Sequence, residues 1–202
     1  MAKAIYDYDG TMAVKVKKMY DYDGAKATAL KKGYDWNGTT ATHVYAAFEE
    51  YLFNAGKFAD ISGFSLSKCT GSNNGDTYTV TTSGNVFSIA VSNKKIDITD
   101  VQTITANFVG GSQSYAGHWQ GAWNAWCRMG VASTTPSLNS SGFLQNATKY
   151  VDLAPQADGL AGFSGIRNLD VSSLTGEYYL FFTVGGSGSA NGKIIIDYIK
   201  QT

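Results

Sequence analysis

The chain of 202 residues has few of the residues on which catalysis and metal binding depend. It contains two histidines, two cysteines and two prolines, and only 16% of its residues are charged. His43 and His118 lie in no recognisable arrangement with serine, cysteine or a carboxylate, and no nucleotide-binding or zinc-protease spacing occurs. Cysteine and histidine ligands are too few to suggest a metal site. We therefore expect no enzymatic activity, no cofactor and no metal.

The sequence also lacks a charge bias and a long apolar run. Its 16 basic residues balance 16 acidic ones, so no global field attracts the chain to nucleic acid or to an anionic membrane. No apolar stretch approaches the roughly 18 residues of a membrane span, and the N-terminus lacks the apolar core of a secretory signal. We expect no nucleic-acid partner, no membrane association, and synthesis and folding in the cytoplasm.

The two cysteines, Cys69 and Cys127, are far apart in the sequence and form no CxxC pair. Both lie in segments that read as strands. Buried free thiols are the simpler interpretation in a reducing compartment. The sequence alone leaves open whether the two cysteines form a disulfide.

Glycine is abundant, with 23 residues, and three glycines mark an internal repeat. Gly10, Gly24 and Gly38 lie 14 residues apart, each closing a phrase of the type Tyr-Asp-Tyr-Asp-Gly or Tyr-Asp-Trp-Asn-Gly. Asp-Gly and Asn-Gly pairs favour type I′ hairpin turns, which predicts three tandem hairpins. The clustered carboxylates also suggest calcium, but the later oxygen ligands of a calcium loop are missing, so turn chemistry is the better explanation.

The sequence divides into three parts. Residues 1–41 hold the hairpin repeats, residues 42–56 form a connector for which a short helix and an extended segment are both open, and residues 57–202 read as a β-sandwich. After residue 56, short apolar runs alternate with Gly, Ser and Asn clusters. The predicted fold is all-β, with tandem β-hairpins followed by a jelly-roll-like antiparallel β-sandwich. Its eight strands are expected near 64–67, 77–82, 86–91, 101–108, 126–132, 150–153, 177–184 and 193–199.

One of these strands is expected at the centre of a sheet. In the run 177–184, Tyr178, Leu180, Phe182 and Val184 alternate with Tyr179, Phe181 and Thr183. Because successive side chains point to opposite faces of a strand, both faces of this strand are apolar. An apolar strand of this kind is typically covered on both sides.

The richest candidate for recognition is the stretch 115–126, which holds three of the four tryptophans. Aromatic rings beside amides and an imidazole can stack on a sugar and hydrogen-bond its hydroxyls, but such rings also pack in cores and interfaces. In a strand, Ala125, Cys127, Met129 and Val131 would face inward, and Trp126 and Arg128 would lie on the opposite face. The candidate glycan-binding residues are Tyr115, His118, Trp119, Trp123, Trp126 and Arg128.

Several phrases of the sequence resemble a known group of proteins. They are Lys17-Lys18-Met19-Tyr20-Asp21, Tyr34-Asp35-Trp36-Asn37-Gly38-Thr39, Tyr51-Leu52-Phe53-Asn54-Ala55-Gly56, Lys95-Ile96-Asp97-Ile98-Thr99, the run 169–180 and the run 194–199. Together they resemble small virion proteins of tailed bacteriophages and prophages of Gram-positive bacteria, in which a lysine-rich YDWNGT segment precedes a β-sandwich. The resemblance touches both ends of the chain and offers no catalytic residues.

This resemblance implies a structural or accessory component of the virion, on the tail or on the capsid, that contacts host surface glycans. The hairpin repeats would attach to other virion proteins, and the sandwich would project outward. Attachment to a symmetric particle favours a homo-oligomer. The candidate attachment residues are the repeated aromatics Tyr6, Tyr8, Tyr20, Tyr22, Tyr34 and Trp36.

The run 6–13 is also similar to the turn of choline-binding repeats in bacterial surface proteins. Those repeats are near twenty residues long, and they cage a quaternary ammonium between paired aromatics. Here the period is shorter and the first two copies lack tryptophan. A choline-binding cell-wall module is therefore kept as a lesser alternative.

Overall fold

The computed structural model is all-β, as predicted, with no helix in the part of the chain that it describes. The described residues are 6–8, 13–15, 19–22, 27–30, 32–36, 41–46, 50–82, 86–99, 101–115, 127–153, 159–185 and 192–202, with side chains placed from residue 50 onward except at 112–115 and 159–161. The chain divides into two compact units, Met1–Glu50 and Tyr51–Thr202.

The first unit consists of three successive antiparallel hairpins. Its strands are β1 (Tyr6–Tyr8), β2 (Ala13–Lys15), β3 (Met19–Tyr22), β4 (Ala27–Leu30), β5 (Lys32–Trp36) and β6 (Ala41–Ala46). Among the described residues of this unit, each strand pairs only with its own hairpin partner. The Asp-Gly and Asn-Gly corners at residues 9–10, 23–24 and 37–38 lie outside the described residues.

The three hairpins repeat the same pairing register. Tyr8, Tyr22 and Trp36 pair with Ala13, Ala27 and Ala41, respectively. One position earlier, Asp7, Asp21 and Asp35 pair with Val14, Thr28 and Thr42. The 14-residue period of the sequence is thus also a period of the backbone.

The remaining strands build the second unit. They are β7 (Glu50–Asn54), β8 (Lys57–Phe58), β9 (Phe64–Ser67), β10 (Cys69–Asn74), β11 (Thr77–Thr82), β12 (Phe87–Ser92), β13 (Ile96–Asp97), β14 (Thr103–Tyr115), β15 (Arg128–Ala132), β16 (Ser137–Leu138), β17 (Leu144–Gln145), β18 (Lys149–Asp152), β19 (Gly159–Gly162), β20 (Gly165–Asp170), β21 (Glu177–Gly185) and β22 (Lys193–Gln201). The segment for which helix and extended chain were both open is extended, in β6 and β7.

Two antiparallel sheets form the sandwich. Sheet 1 has the order β10-β11-β22-β14-β19, with β20 also paired to β14, β7 to β22 and β8 to β7. Sheet 2 has the order β18-β15-β21-β12-β9, with β13 also paired to β21. The chain passes from sheet 2 to sheet 1 between β9 and β10 at Lys68, whose φ of 57° lies in the left-handed region. The strand expected at a sheet centre, β21, is the middle strand of sheet 2, so that prediction is confirmed.

The main core lies between the two sheets. Phe108 of sheet 1 and Phe182 of sheet 2 meet edge to face, with ring centroids 6.1 Å apart. Phe64 also meets Phe182 edge to face, with ring centroids 5.6 Å apart. Each such fully buried ring stabilises the fold by about 1.5–3 kcal/mol relative to an exposed ring. Cys127, Met129 and Val131 also belong to this core. Their inward orientation confirms the prediction for these three residues, whereas Ala125 and Trp126 lie outside the described residues.

All eight strands expected from the sequence are present, and the described part of the second unit has eight further strands that were not predicted. The additional elements are short or lie at sheet edges: β7, β8, β10, β13, β16, β17, β19 and β20. In β10, for example, every residue after Cys69 is exposed. A strand with no buried face carries no hydrophobic alternation, which is why the sequence did not predict it.

Candidate functional site

The outer face of sheet 2 is the face turned away from the inter-sheet core. Directly paired residues of an antiparallel sheet point to the same face, so the register assigns the residues on it. One cross-strand row runs through Asp152, Arg128, Thr183, Ile89 and Ser67. The next row runs through Tyr150, Gly130, Phe181, Val91 and Ser65. This face is polar at both edges and apolar in the middle.

Arg128 anchors one edge of this face. Its side chain is only 5% exposed, and Nε donates a hydrogen bond to Oδ1 of Asp152 at 2.7 Å. Its guanidinium carbon lies 4.2 Å from the ring centre of Tyr150, a cation–π contact. Tyr150 itself is 46% exposed. Arg128 thus supports an aromatic ring that faces solvent, and a ligand at this edge would meet Tyr150.

A chain segment covers the apolar middle of the face. Residues 133–148, which include the short pair β16 and β17, bring Leu138, Leu144 and Ala147 onto Ile89, Val91, Ala132 and Phe181. Asn139 shapes the turn of this segment: its Oδ1 accepts hydrogen bonds from the backbone N–H groups of Ser141 at 3.0 Å and Phe143 at 2.9 Å. These hydrogen bonds fix the turn, and residues 133–148 form a wall that stands on the outer face of sheet 2.

Between this wall and the edge strand β9 lies an open groove of about 360 Å³. We call it the β9 groove. Its floor is aliphatic, from Ile89 and Val91, and Tyr179 lies on the same outer face. Hydroxyl and amide side chains surround the floor. The lining residues are Ser65, Leu66, Ser67, Ile89, Val91, Ser92, Asn93, Thr135, Pro136, Ser137, Leu138 and Tyr179.

Hydrogen bonds hold the polar rim of the β9 groove in place. Ser65 Oγ donates to Asn93 Oδ1 at 2.8 Å, and Asn93 Nδ2 donates to the carbonyl oxygen of Ser62 at 3.0 Å. At the side of Tyr179, the ammonium of Lys95 lies 5.4 Å from the ring centre. No charged residue is among the lining residues. The groove is thus preorganised, and the residues that line it are uncharged.

The candidate glycan-binding residues predicted from the sequence are only partly described. Tyr115 is the last residue of β14 and pairs with Gly159 at one edge of sheet 1, whereas Arg128 begins β15 in sheet 2. His118, Trp119, Trp123 and Trp126 lie outside the described residues. In the sequence, residues 116–126 follow β14 of sheet 1 and precede β15 of sheet 2. The attachment candidates Tyr6, Tyr8, Tyr20, Tyr22, Tyr34 and Trp36 all occupy strand positions of the hairpins.

Sequence reasoning missed Tyr150 and the β9 groove. A signal for Tyr150 existed, because the alternation in Lys149-Tyr150-Val151-Asp152 places Tyr150 and Asp152 on one face once Val151 is assigned to the core. No comparable signal existed for the groove. Its lining residues come from four separate parts of the sequence, near residues 66, 91, 136 and 179.

Titratable groups in the described part of the chain form no cluster that points to a metal centre. No group of three or more His, Cys, Asp or Glu side chains is gathered there in a way that could hold a metal. Burial raises the pKa of the Cys69 thiol from 9.0 to about 11 and that of Cys127 to about 12. Neither Cys69 nor Cys127 forms a disulfide. Within the same residues, no helix is long and apolar enough to cross a membrane.

Comparisons with known proteins add little to this geometry. No family model matches the chain, and no curated protein matches it. Among solved structures, the chain is similar to a protein described in work on the promiscuous specificity of carbohydrate-binding modules of the β-sandwich superfamily. The two are 15% identical with a TM-score of 0.38, over 92% of this chain and 85% of that one. A likeness of this size does not indicate what this chain binds.

Proposed function

We propose that this chain is a non-enzymatic structural or accessory protein of a bacteriophage particle. Its hairpin repeats attach to other virion proteins of the tail or capsid, and its β-sandwich projects outward. The phrases that resemble those of small virion proteins, among them Tyr34-Asp35-Trp36-Asn37-Gly38-Thr39, support this proposal from the sequence. The observation that carries it is the repeated register of the three hairpins.

Two-stranded hairpins of three to six residues per strand are marginally stable in water on their own. Here three of them follow one another, and each repeats the same backbone pairing with an aromatic residue opposite an alanine. Equivalent positions repeated at a fixed interval suit docking onto a partner surface, which supplies the burial that the isolated hairpins lack. The second unit needs no such help, because it has its own core between two sheets.

Incorporation into particles tests this proposal. Phage carrying the full chain are compared with phage carrying Tyr8→Ser, Tyr22→Ser and Trp36→Ser, singly and together, and purified particles are analysed by mass spectrometry and microscopy. The native chain is expected in the particle, with stepwise loss as the substitutions accumulate. Tyr51→Ser, an exposed aromatic of the second unit, is the matched control and should be incorporated normally. Absence of the native chain from particles would contradict the proposal.

The same proposal includes a homo-oligomer, because repeated attachment to a symmetric particle favours closed point-group symmetry. Light scattering on the purified full chain measures this directly. A symmetric oligomer, alone or once the virion partner is added, is expected. A strict monomer under both conditions would contradict this part of the proposal.

A second candidate function is recognition of host glycans by the Trp-rich stretch 115–126. The supporting observation is the surface at which this stretch ends: Arg128 holds the half-exposed ring of Tyr150 on the outer face of sheet 2. Trp119→Ala, Trp123→Ala and Trp126→Ala should each weaken binding to host cell-wall polysaccharide without lowering the unfolding midpoint. Tyr51→Ala serves as the control. Unchanged binding in all three tryptophan variants would exclude this role, and elution by free choline would point to the choline-binding alternative.

A further inference from the structure

We infer that the β9 groove is a binding site for a neutral saccharide unit. The inference takes its ligand class from the second candidate function, but it rests on different residues, none of which belongs to the Trp-rich stretch. It assigns a role to the outer face of sheet 2 between the edge strand β9 and residues 135–138. Three properties of the groove support this role: its size, the chemistry of its lining and its preformed shape.

The groove has the size of a ligand site. Its volume of about 360 Å³ lies within the range of roughly 300–1,000 Å³ that is usual for small-molecule pockets. One side of the groove is lined by β9, which is an edge strand of sheet 2. A saccharide that extends beyond one bound unit can therefore continue past the edge of the sheet.

The lining presents apolar and polar groups on different sides. Ile89 and Val91 form a buried aliphatic floor, and the half-buried Tyr179 adds an aromatic surface. Around them, Ser65, Ser67, Asn93, Thr135 and Ser137 are exposed and carry hydroxyl or amide groups. A sugar ring has the matching distribution, with C–H groups on its faces and hydroxyls at its rim. The combination of an apolar platform with convergent polar groups is typical of ligand sites.

Charge narrows the class of ligand. The lining contains no Asp, Glu, Lys or Arg, and the ammonium of Lys95 lies over the ring of Tyr179, 5.4 Å from its centre. A phosphate or carboxylate ligand would find no pairing cation among the lining residues, and burying such a charge without a partner is costly. An uncharged polyhydroxylated ligand carries no such cost.

The groove is also held in its shape before any ligand arrives. Ser92 Oγ donates to the carbonyl oxygen of Lys94 at 2.8 Å and accepts a hydrogen bond from the N–H of Leu180 at 3.0 Å, which ties β12 to β21 beneath the groove. Ser65 and Asn93 are bonded to each other at the rim. A preformed site loses little conformational entropy on binding, which favours even weak ligands.

The test is a nuclear magnetic resonance titration of the full-length chain with four neutral probes: maltotetraose, cellotetraose, mannotetraose and chitotetraose. At millimolar probe concentration, at least one probe should shift the amide signals of Ser67, Ile89 and Tyr179. Tyr179→Ala should weaken that binding about tenfold, because an aromatic contact is lost. Ser67→Tyr should abolish it, because the larger side chain on the exposed strand fills the groove.

Thr70→Tyr is the matched control for Ser67→Tyr, because Thr70 is an exposed hydroxyl residue on the edge strand β10 of the other sheet. It should bind the probe as the native chain does. Thermal unfolding of each variant shows whether the fold is retained. If Tyr179→Ala is not folded, Ser67→Tyr still decides the question, because Ser67 is exposed and packs in no core cluster.

Three results would overturn the inference: no shift with any probe, equal binding by Ser67→Tyr, or shifts confined to residues outside the groove.

The tryptophan variants separate this site from the second candidate function. Groove shifts that persist in Trp119→Ala, Trp123→Ala and Trp126→Ala support the groove whatever happens to the Trp-rich stretch. If the tryptophan variants remove the amide shifts and Ser67→Tyr does not, the result supports binding by the Trp-rich stretch and overturns the inference about the groove. Incorporation into particles is independent of both results.

Discussion

Arg128 and Asp152 form an ion pair in which the arginine is buried and the aspartate lies at the surface. Nε of Arg128 donates to Oδ1 of Asp152 at 2.7 Å, with the arginine side chain 5% and the aspartate side chain 39% exposed. The pair joins β15 to the edge strand β18. It also fixes the guanidinium beneath Tyr150. The pair is thus the structural support of one edge of the outer face.

Asp152→Asn is expected to lower the free energy of unfolding by about 1–3 kcal/mol, because it weakens a hydrogen bond to a buried cation. Urea unfolding measures this change. Asp60→Asn, at an exposed carboxylate of the same unit, should leave the midpoint unchanged. The double variant Arg128→Met/Asp152→Leu should recover much of the loss, because it removes the buried charge as well. Equal midpoints for the Asp152 and Asp60 variants would show that the ion pair contributes nothing.

Gly130→Ala is expected to destabilise the sandwich by about 1–3 kcal/mol through overpacking. A Cβ at Gly130 would lie too close to the ring of Phe181 and to the carbonyl oxygen of Lys149. Gly110→Ala is the matched control within a strand, because its Cβ would make an ordinary contact of 3.6 Å with Cδ1 of Ile195. Chemical denaturation of both variants should show a loss for Gly130→Ala alone. A similar effect at both positions would contradict the steric explanation.

Asp170 is expected to contribute to the acid sensitivity of the domain. Hydrogen bonds from the side chain and backbone of Ser172, with a further one from Lys149, lower the pKa of the Asp170 carboxyl from 3.8 to about 2. The stabilisation is complete above pH 3.8 and is lost as the pH falls towards 2. In thermal melts, the native chain should lose stability more steeply in that interval than Asp170→Asn does. Identical slopes would exclude this contribution, and Asp60→Asn should match the native slope.

The two thiols are expected to react slowly in the folded protein. Because burial raises the pKa of Cys69 to about 11 and that of Cys127 to about 12, little thiolate is present at neutral pH. A colorimetric thiol reagent should label both cysteines rapidly in denaturant and neither rapidly without it. Cys69, which is only half-buried, should react before Cys127. Rapid labelling of Cys127 in the native protein would contradict its burial.

The sequence predicted the elements that have buried faces. The alternation in 177–184 identified β21, both of its faces and its central position, because Phe182 belongs to the core between the sheets and Phe181 to the cluster under residues 133–148. The same reasoning placed Met129 and Val131 inward. Hydrophobic periodicity reports burial, and these residues are buried on the expected side.

Hydrophobic periodicity could not predict the exposed strands or the β9 groove. β20 is held in the sheet by backbone pairing with β14, and most of its residues are exposed or half-exposed. The β9 groove depends on the register of β9 with β12 and on the return of residues 135–138 across the sheet. Local composition predicts neither the register in which two strands pair nor the path by which a later segment crosses back over the sheet. The Trp-rich stretch, in contrast, stands out by composition alone and remains a prediction.

The position of β22 affects how the domain is completed during synthesis. This strand, Lys193–Gln201, lies inside sheet 1, between β14 on one side and β11 and β7 on the other. Its partners are made far earlier, so their pairing with β22 is non-local and is expected to form late. Until residues 193–201 have left the ribosome, β11 and β14 each present an unpaired edge to solvent. Nascent chains that stall before this point should therefore be prone to aggregation.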